Sequence, residues 1–68
     1  MEIELISNDL ISDERLYRWN GHLIEVKPYS TGKKKWMART EKLEHRAAFG
    51  FTARLAVQNA IWLLQNPE

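Results

Sequence analysis

The sequence contains no cysteine, three glycines and two prolines, and no apolar run approaches the roughly 18 residues that span a bilayer. Without cysteine there is no disulfide framework, no thiolate nucleophile and no zinc ribbon, so a hydrophobic core must hold the fold together. The opening residues Met1-Glu2-Ile3-Glu4 also lack the basic start of a secretion signal. We therefore expect a cytoplasmic protein with no membrane partner.

The length of the chain limits it to one small core. Its 68 residues make 8.0 kDa, about half the mass of a typical domain. Hydrophobic residues make up 44% and charged residues 28% of the chain, a balance typical of a globular protein rather than a disordered or fibrous one. We predict a single domain over 1–68, with an acidic leader at 1–14, an antiparallel sheet at 15–51 and a helix at 52–65.

Charge is distributed unevenly along the chain, although the formal net charge is only +1. Residues 1–14 contain five acids and no base, whereas residues 15–54 contain ten bases and three acids. A basic body of this kind attracts phosphate backbones or acidic protein surfaces. The alternative is that these charges are solvated and only keep a small domain in solution.

The strongest local signal is a β-hairpin centred on Asn20-Gly21. This dipeptide tolerates the positive φ angles that a two-residue type I′ turn requires, and β-forming residues flank it on both sides. The turn fixes which residues of the two strands lie opposite each other. The pairs predicted for one face are Trp19 with His22, Tyr17 with Ile24 and Arg15 with Val26, and those for the other face are Arg18 with Leu23 and Leu16 with Glu25.

Pro28 is predicted to end the second strand of the hairpin, and residues 29–33, which include Gly32, are predicted to form a turn. Two further strands are predicted after this turn. Alternation over 34–40 separates a core face from a basic face. The core face carries Trp36, Ala38 and Thr40, and the basic face carries Lys35, Met37 and Arg39. A shorter strand over 45–51 is predicted with Ala47, Phe49 and Phe51 on one side, Phe49 in the core, and Arg46 and Ala48 on the other side.

The apolar period changes from 2 to 3.6 residues at Ala53, which indicates a helix. Thr52 is placed to cap its N-terminus, and Pro67 follows its expected end near Gln65. One stripe of this helix, which can cover the apolar face of the sheet, consists of Ala53, Ala56, Val57, Ala60, Leu63 and Leu64, with Ile61 at its edge. The predicted fold is therefore α+β, an antiparallel meander sheet of three to four strands packed on one C-terminal helix.

Two large apolar residues of the helix, Leu55 and Trp62, lie seven positions apart and project away from the core stripe. The leader also has apolar residues that need burial, such as Ile3 and Leu5, and could cover this side as a fifth strand or an extended arm. Otherwise Leu55 and Trp62 form a homodimer interface or a binding surface for another protein.

The residue pattern offers little for catalysis or metal binding. His22 lies beside a tight turn and His45 lies in a loop, and no serine and acid are spaced to complete a triad with either. Two histidines without cysteine do not supply the three or four converging ligands of a metal site. Glu41 and Glu44 flank a loop, without the buried environment that acid–base catalysis needs. We expect no enzyme activity and no cofactor.

The predicted strand alternation places lysine and arginine side chains together on the sheet face opposite the helix. Such a surface is suited to binding phosphate groups. A sheet can enter the major groove, where lysine and arginine reach phosphates and guanine edges. Double-stranded DNA is therefore the leading partner, although solvent-facing strand positions also carry such residues for solubility and edge protection. The predicted nucleic-acid-binding residues are Arg18, Lys27, Lys33, Lys34, Lys35, Arg39 and Arg46.

Residues His22 to Leu64 resemble the AP2-like arm-binding domains of tyrosine integrases. The similarity lies in Gly32-Lys33 before Trp36-Met37-Ala38-Arg39, and in Gly50-Phe51-Thr52 before an alanine-bearing helix with Ala56 and Ala60. In such domains the sheet lies in the major groove. The resemblance implies that Arg18, Lys27, Lys35 and Arg39 would face the DNA.

The helix segment from Gly50 to Ala60 is also similar to the end of the HicB-like antitoxin fold, a module that binds a toxin protein. This similarity implies an alternative function, a protein-binding module that acts as an antitoxin. The length and charge of the chain also suggest a further alternative, a small phage or mobile-element inhibitor that binds a host protein. Such a protein would bind an acidic or apolar protein surface through the acidic leader and the surface formed by Leu55 and Trp62.

Overall fold

The computed structural model describes residues 3–29, 36–43 and 46–66. Within these ranges five strands form one antiparallel sheet in chain order, and one α-helix follows them. The strands are β1 (Glu4–Asn8), β2 (Arg15–Trp19), β3 (His22–Pro28), β4 (Trp36–Arg39) and β5 (Ala48–Gly50), the helix is α1 (Ala53–Gln65), and a 3-10 turn (Glu41–Leu43) lies between β4 and β5. The predicted α+β fold is confirmed, with one strand more than the predicted maximum of four.

The β2–β3 hairpin has the turn and the register predicted from the sequence. Asn20 and Gly21 have φ angles of 49° and 81°, the positive values that a type I′ turn requires. All five predicted residue pairs are observed, from Arg15 opposite Val26 to Trp19 opposite His22. The hairpin therefore separates its two faces as the alternation indicates.

Helix α1 packs against one face of the sheet and closes the core. Thr52 caps it as predicted, since its hydroxyl oxygen accepts a hydrogen bond of 3.0 Å from the backbone N–H of Leu55. The buried core consists of Ile24, Val26, Ala38, Leu43, Ala48, Ala53, Ala56, Val57, Ala60 and Ile61. Among the described residues, none of the helical segments has the length and apolar character required to span a bilayer.

Strand β5 faces the opposite way from the prediction. Ala48 pairs with Ala38 and is buried, whereas Phe49 pairs with Met37 and is 43% exposed. The reason is the close approach of β5 to α1, because a Cβ built on Gly50 would lie 2.5 Å from the backbone nitrogen of Ala56. The small residues Ala48 and Gly50 lie on this side of the strand, and the phenylalanine points to the other side. The prediction that Phe49 belongs to the core is wrong.

The acidic leader forms β1, the edge strand that pairs with β2. Of the two predicted placements, the fifth strand is the one observed. It does not cover the helix, because α1 packs over β3, β4 and β5 on the other half of the sheet. Leu55 and Trp62 remain 43% and 58% exposed, so of the two alternatives for these residues the one in which the leader covers them is wrong.

Candidate nucleic-acid interface

The face of the sheet that α1 leaves uncovered carries three of the predicted basic residues. We call this surface the open face. The strand registers place three of the predicted bases on it, since Arg18 lies opposite Leu23, Arg39 opposite Glu25, and Lys27 opposite Met37. By the same registers the open face consists of Leu16, Arg18, Leu23, Glu25, Lys27, Met37, Arg39 and Phe49, together with Glu4 and Ser7 of β1.

The other four predicted bases are not placed on the open face by the strand registers. Lys33, Lys34 and Lys35 lie outside the described residues, between Tyr29 and Trp36 in the sequence. Arg46 is exposed and precedes β5, and its backbone N–H donates to the carbonyl of Leu43 at 3.2 Å. It therefore belongs to the turn after the 3-10 segment. Arg46 was predicted to lie on the basic face because alternation put it on the same side of the strand as Ala48. That alternation is wrong, since Ala48 pairs with Ala38 and faces the helix.

Arg15 does not join the open face, as the hairpin register predicts. Its guanidinium carbon lies 4.8 Å from the centre of the Trp36 ring, a cation–π contact on the helix side of the sheet. Its Nε is buried without a hydrogen-bond partner among the described residues. This arginine therefore contributes to packing at the rim of the core rather than to the basic surface.

Two acids dilute the positive charge of the open face. Glu4 lies opposite Arg18, and one of its carboxylate oxygens accepts hydrogen bonds from the arginine Nη2 at 2.6 Å and Nε at 3.2 Å. Glu25 lies opposite Arg39 without an ion pair within 4.0 Å among the described residues. The described part of the open face thus carries three basic and two acidic residues. Its net positive charge is lower than the sequence alone indicates.

The Glu4–Arg18 ion pair is exposed and can exchange partners. The two side chains are 59% and 51% exposed, and pairs of this kind contribute only about 0–1 kcal/mol to stability. A phosphate group is also an anionic acceptor that arginine can bind through two N–H groups. Arg18 is therefore available to a phosphate ligand at a small energetic cost.

Aromatic rings at one end of the open face form a cleft that the sequence analysis did not find. Tyr29 and Phe49 meet edge to face, with 5.0 Å between ring centroids and 65° between ring planes. Together with Gly50 and Phe51 they line a cleft of about 400 Å³. The sequence does contain a signal for it, because Phe49 lies between the two small residues Ala48 and Gly50. Two small residues on one side of a strand favour close approach of the helix on that side, which leaves the phenylalanine on the other side.

His22 and the acidic residues do not form a metal-binding cluster within the described residues. The ring of His22 stacks on Trp19, with 6.0 Å between centroids and 20° between planes. No three histidine, aspartate or glutamate side chains of the described segments converge where they could hold a metal ion. His45 and Glu44 lie outside these segments.

Comparison of the chain with protein-family models, curated proteins and solved structures gives no match. The functional conclusion therefore depends on the chemistry of the surfaces described above.

Proposed function

We propose that this protein is a small, non-enzymatic accessory or regulatory protein that binds nucleic acid through its open face. The observation that carries the proposal is the position of Arg18, Lys27 and Arg39 on the one sheet face that the helix leaves uncovered. Arginine and lysine side chains there can contact successive phosphates, as basic residues do in most protein–nucleic acid complexes. The segment 30–35 adds three more lysines between β3 and β4 in the sequence.

The two acids of the open face set the strength of binding. Arg18 has to leave Glu4 for a phosphate, and Glu25 repels a phosphate that approaches Arg39. Both effects are modest at exposed positions. We therefore expect binding that is measurable at low salt and weak at physiological salt.

The test is a titration of labelled nucleic acid at several salt concentrations. Contacts from Arg18, Lys27 and Arg39 correspond to a slope of log affinity against log salt of about −2.7 on duplex DNA, and each further lysine that joins them adds about −0.9. Arg39→Ala should weaken binding and reduce the slope by about 0.9. Arg54→Ala is the matched control, because it removes the same charge from the exposed side of α1. Absence of binding even at low salt would remove the proposal.

A second candidate function, a protein-binding module, is favoured by a different observation. Leu55 and Trp62 stay exposed on α1, and the turn after β1 exposes Leu10 and Ile11 by 84% and 98%. Large apolar side chains exposed on ordered elements favour recognition of an apolar protein surface or a second copy of the chain. This candidate predicts salt-tolerant association that Trp62→Ala abolishes and Arg39→Ala leaves unchanged, as measured by sedimentation and pull-down.

A further inference from the structure

The aromatic cleft at the end of the open face exposes the flat apolar rings of Tyr29, Phe49 and Phe51. Tyr29, Phe49 and Phe51 are 59%, 43% and 71% exposed, although phenylalanine is usually buried. Phe49 is held by a strand whose neighbouring residues, Ala48 and Gly50, pack toward α1. The side-chain amide of Asn59 also donates a hydrogen bond to the carbonyl of Phe49. The ring is therefore supported by the strand and the helix together.

The positive charge of Lys27, on the same face as the cleft, favours one class of ligand. Lys27 lies on the same face two strands away from Phe49, in register with Met37 and Phe49, and is two residues before Tyr29 in the sequence. A flat apolar surface that lies on the same face as a cation matches a nucleotide, which joins a π-face to a phosphate. An apolar peptide would match the rings and leave the lysine without a partner.

We propose that the cleft of Tyr29, Phe49 and Phe51 stacks unpaired bases, so that single-stranded nucleic acid is the ligand that the open face prefers over a duplex. This inference rests on the proposed function. A base inside a duplex has both faces covered by its stacked neighbours, so an aromatic side chain reaches it only after the duplex is opened. Tyr29 and Phe49 stand at 65° to each other, so one ring stacks on a given base while the other lines its edge.

The experiment compares three labelled probes of about the same length, each long enough for one small domain at about 15 nucleotides. They are oligothymidine, an abasic oligomer with the same phosphate backbone, and a duplex. Affinities are measured at low salt by fluorescence anisotropy. Because stacking on an aromatic side chain is sequence-tolerant and strong, oligothymidine should bind about 5-fold to 150-fold more tightly than the abasic oligomer.

Phe49→Leu is the variant that separates stacking from simple apolar contact. Leucine keeps an apolar side chain on the strand but has no flat π-face, so oligothymidine binding should fall at least about 5-fold while abasic binding stays unchanged. Phe51→Leu, outside the strands and 71% exposed, is a second variant with little risk of unfolding. The far-ultraviolet circular dichroism and Tm of both variants confirm that the fold is intact.

The other outcomes distinguish failure of base stacking from failure of nucleic-acid binding as a whole. Equal binding of oligothymidine and the abasic oligomer, or tighter binding of the duplex, refutes base stacking and leaves the proposed function standing. The same holds if both leucine variants bind oligothymidine like the wild type while Arg39→Ala weakens it. Failure of all three probes to bind refutes the proposed function together with this inference.

Discussion

Releasing Arg18 from Glu4 should strengthen nucleic-acid binding. Glu4→Gln removes the carboxylate that holds the Arg18 guanidinium at 2.6 Å and leaves a side chain of similar size. Since the pair is more than half exposed on both sides, its loss should lower the free energy of unfolding by less than about 1 kcal/mol. In the variant, the free energy of the Glu4–Arg18 ion pair no longer opposes the transfer of Arg18 to a phosphate. The affinity for nucleic acid should therefore rise by up to about 5-fold at low salt.

The assay is the anisotropy titration used for the open face, with urea unfolding of the same variant as the stability measurement. Glu14→Gln is the matched control, because it removes an equal charge from the exposed turn that precedes β2. The gain in affinity should disappear when Glu4→Gln is combined with Arg18→Ala. A gain of equal size in Glu14→Gln, or one that persists without Arg18, would show that only the net charge matters and would refute the reasoning.

Further predictions concern the packing of the helix and the first turn. Gly50→Ala should destabilise the fold by about 1–3 kcal/mol, measured by urea unfolding, because the new Cβ would lie 2.5 Å from the backbone nitrogen of Ala56. Ile61→Ala should cost about 2–5 kcal/mol, since Ile61 is 1% exposed, whereas its neighbour Trp62→Ala should cost less than about 1 kcal/mol; a larger loss for Trp62→Ala would mean that the residue is covered. The pKa of Asp9 is held below its ordinary value of 3.8 by hydrogen bonds from the backbone N–H groups of Ile11 and Ser12 and by the Ser12 side chain. The carboxylate therefore stabilises its turn above its unfolded pKa, and this stabilisation is lost as the pH falls through the lower folded-state value. Asp9→Asn, which keeps an accepting oxygen, should remove this pH dependence in thermal unfolding, and an NMR titration midpoint of Asp9 at or above 3.8 would contradict the explanation.

The parts of the fold that depend on short-range chemistry were predictable from the sequence. Asn20-Gly21 determines a hairpin register locally, and the predicted pairs from Arg15–Val26 to Trp19–His22 are all observed. Thr52 and the 3.6-residue apolar period identify the helix and its first residue. The placement of Arg18, Lys27 and Arg39 on one face follows from the hairpin register together with the alternation of side chains along the strands, so this part of the candidate site was also predicted.

The parts that depend on contacts between distant elements were not predictable. Strand β5 has three residues, too few for alternation to decide which side faces the core. The side is decided by the approach of the helix to Gly50, a tertiary contact. The pairing of Glu4 with Arg18 spans 14 positions of the chain and lies next to the register shift between Leu5 and Ser7. The roles of Lys33, Lys34 and Lys35 remain predictions.

The most direct test of the open face as the binding surface is NMR mapping of backbone amide shifts during titration with oligothymidine at low salt. We expect the perturbed amides to cluster on β2, β3 and β4 around Arg18, Lys27 and Arg39, and on Phe49 of β5. Perturbations confined to the exposed side of α1 around Leu55 and Trp62, or the absence of any perturbation, would contradict the proposal.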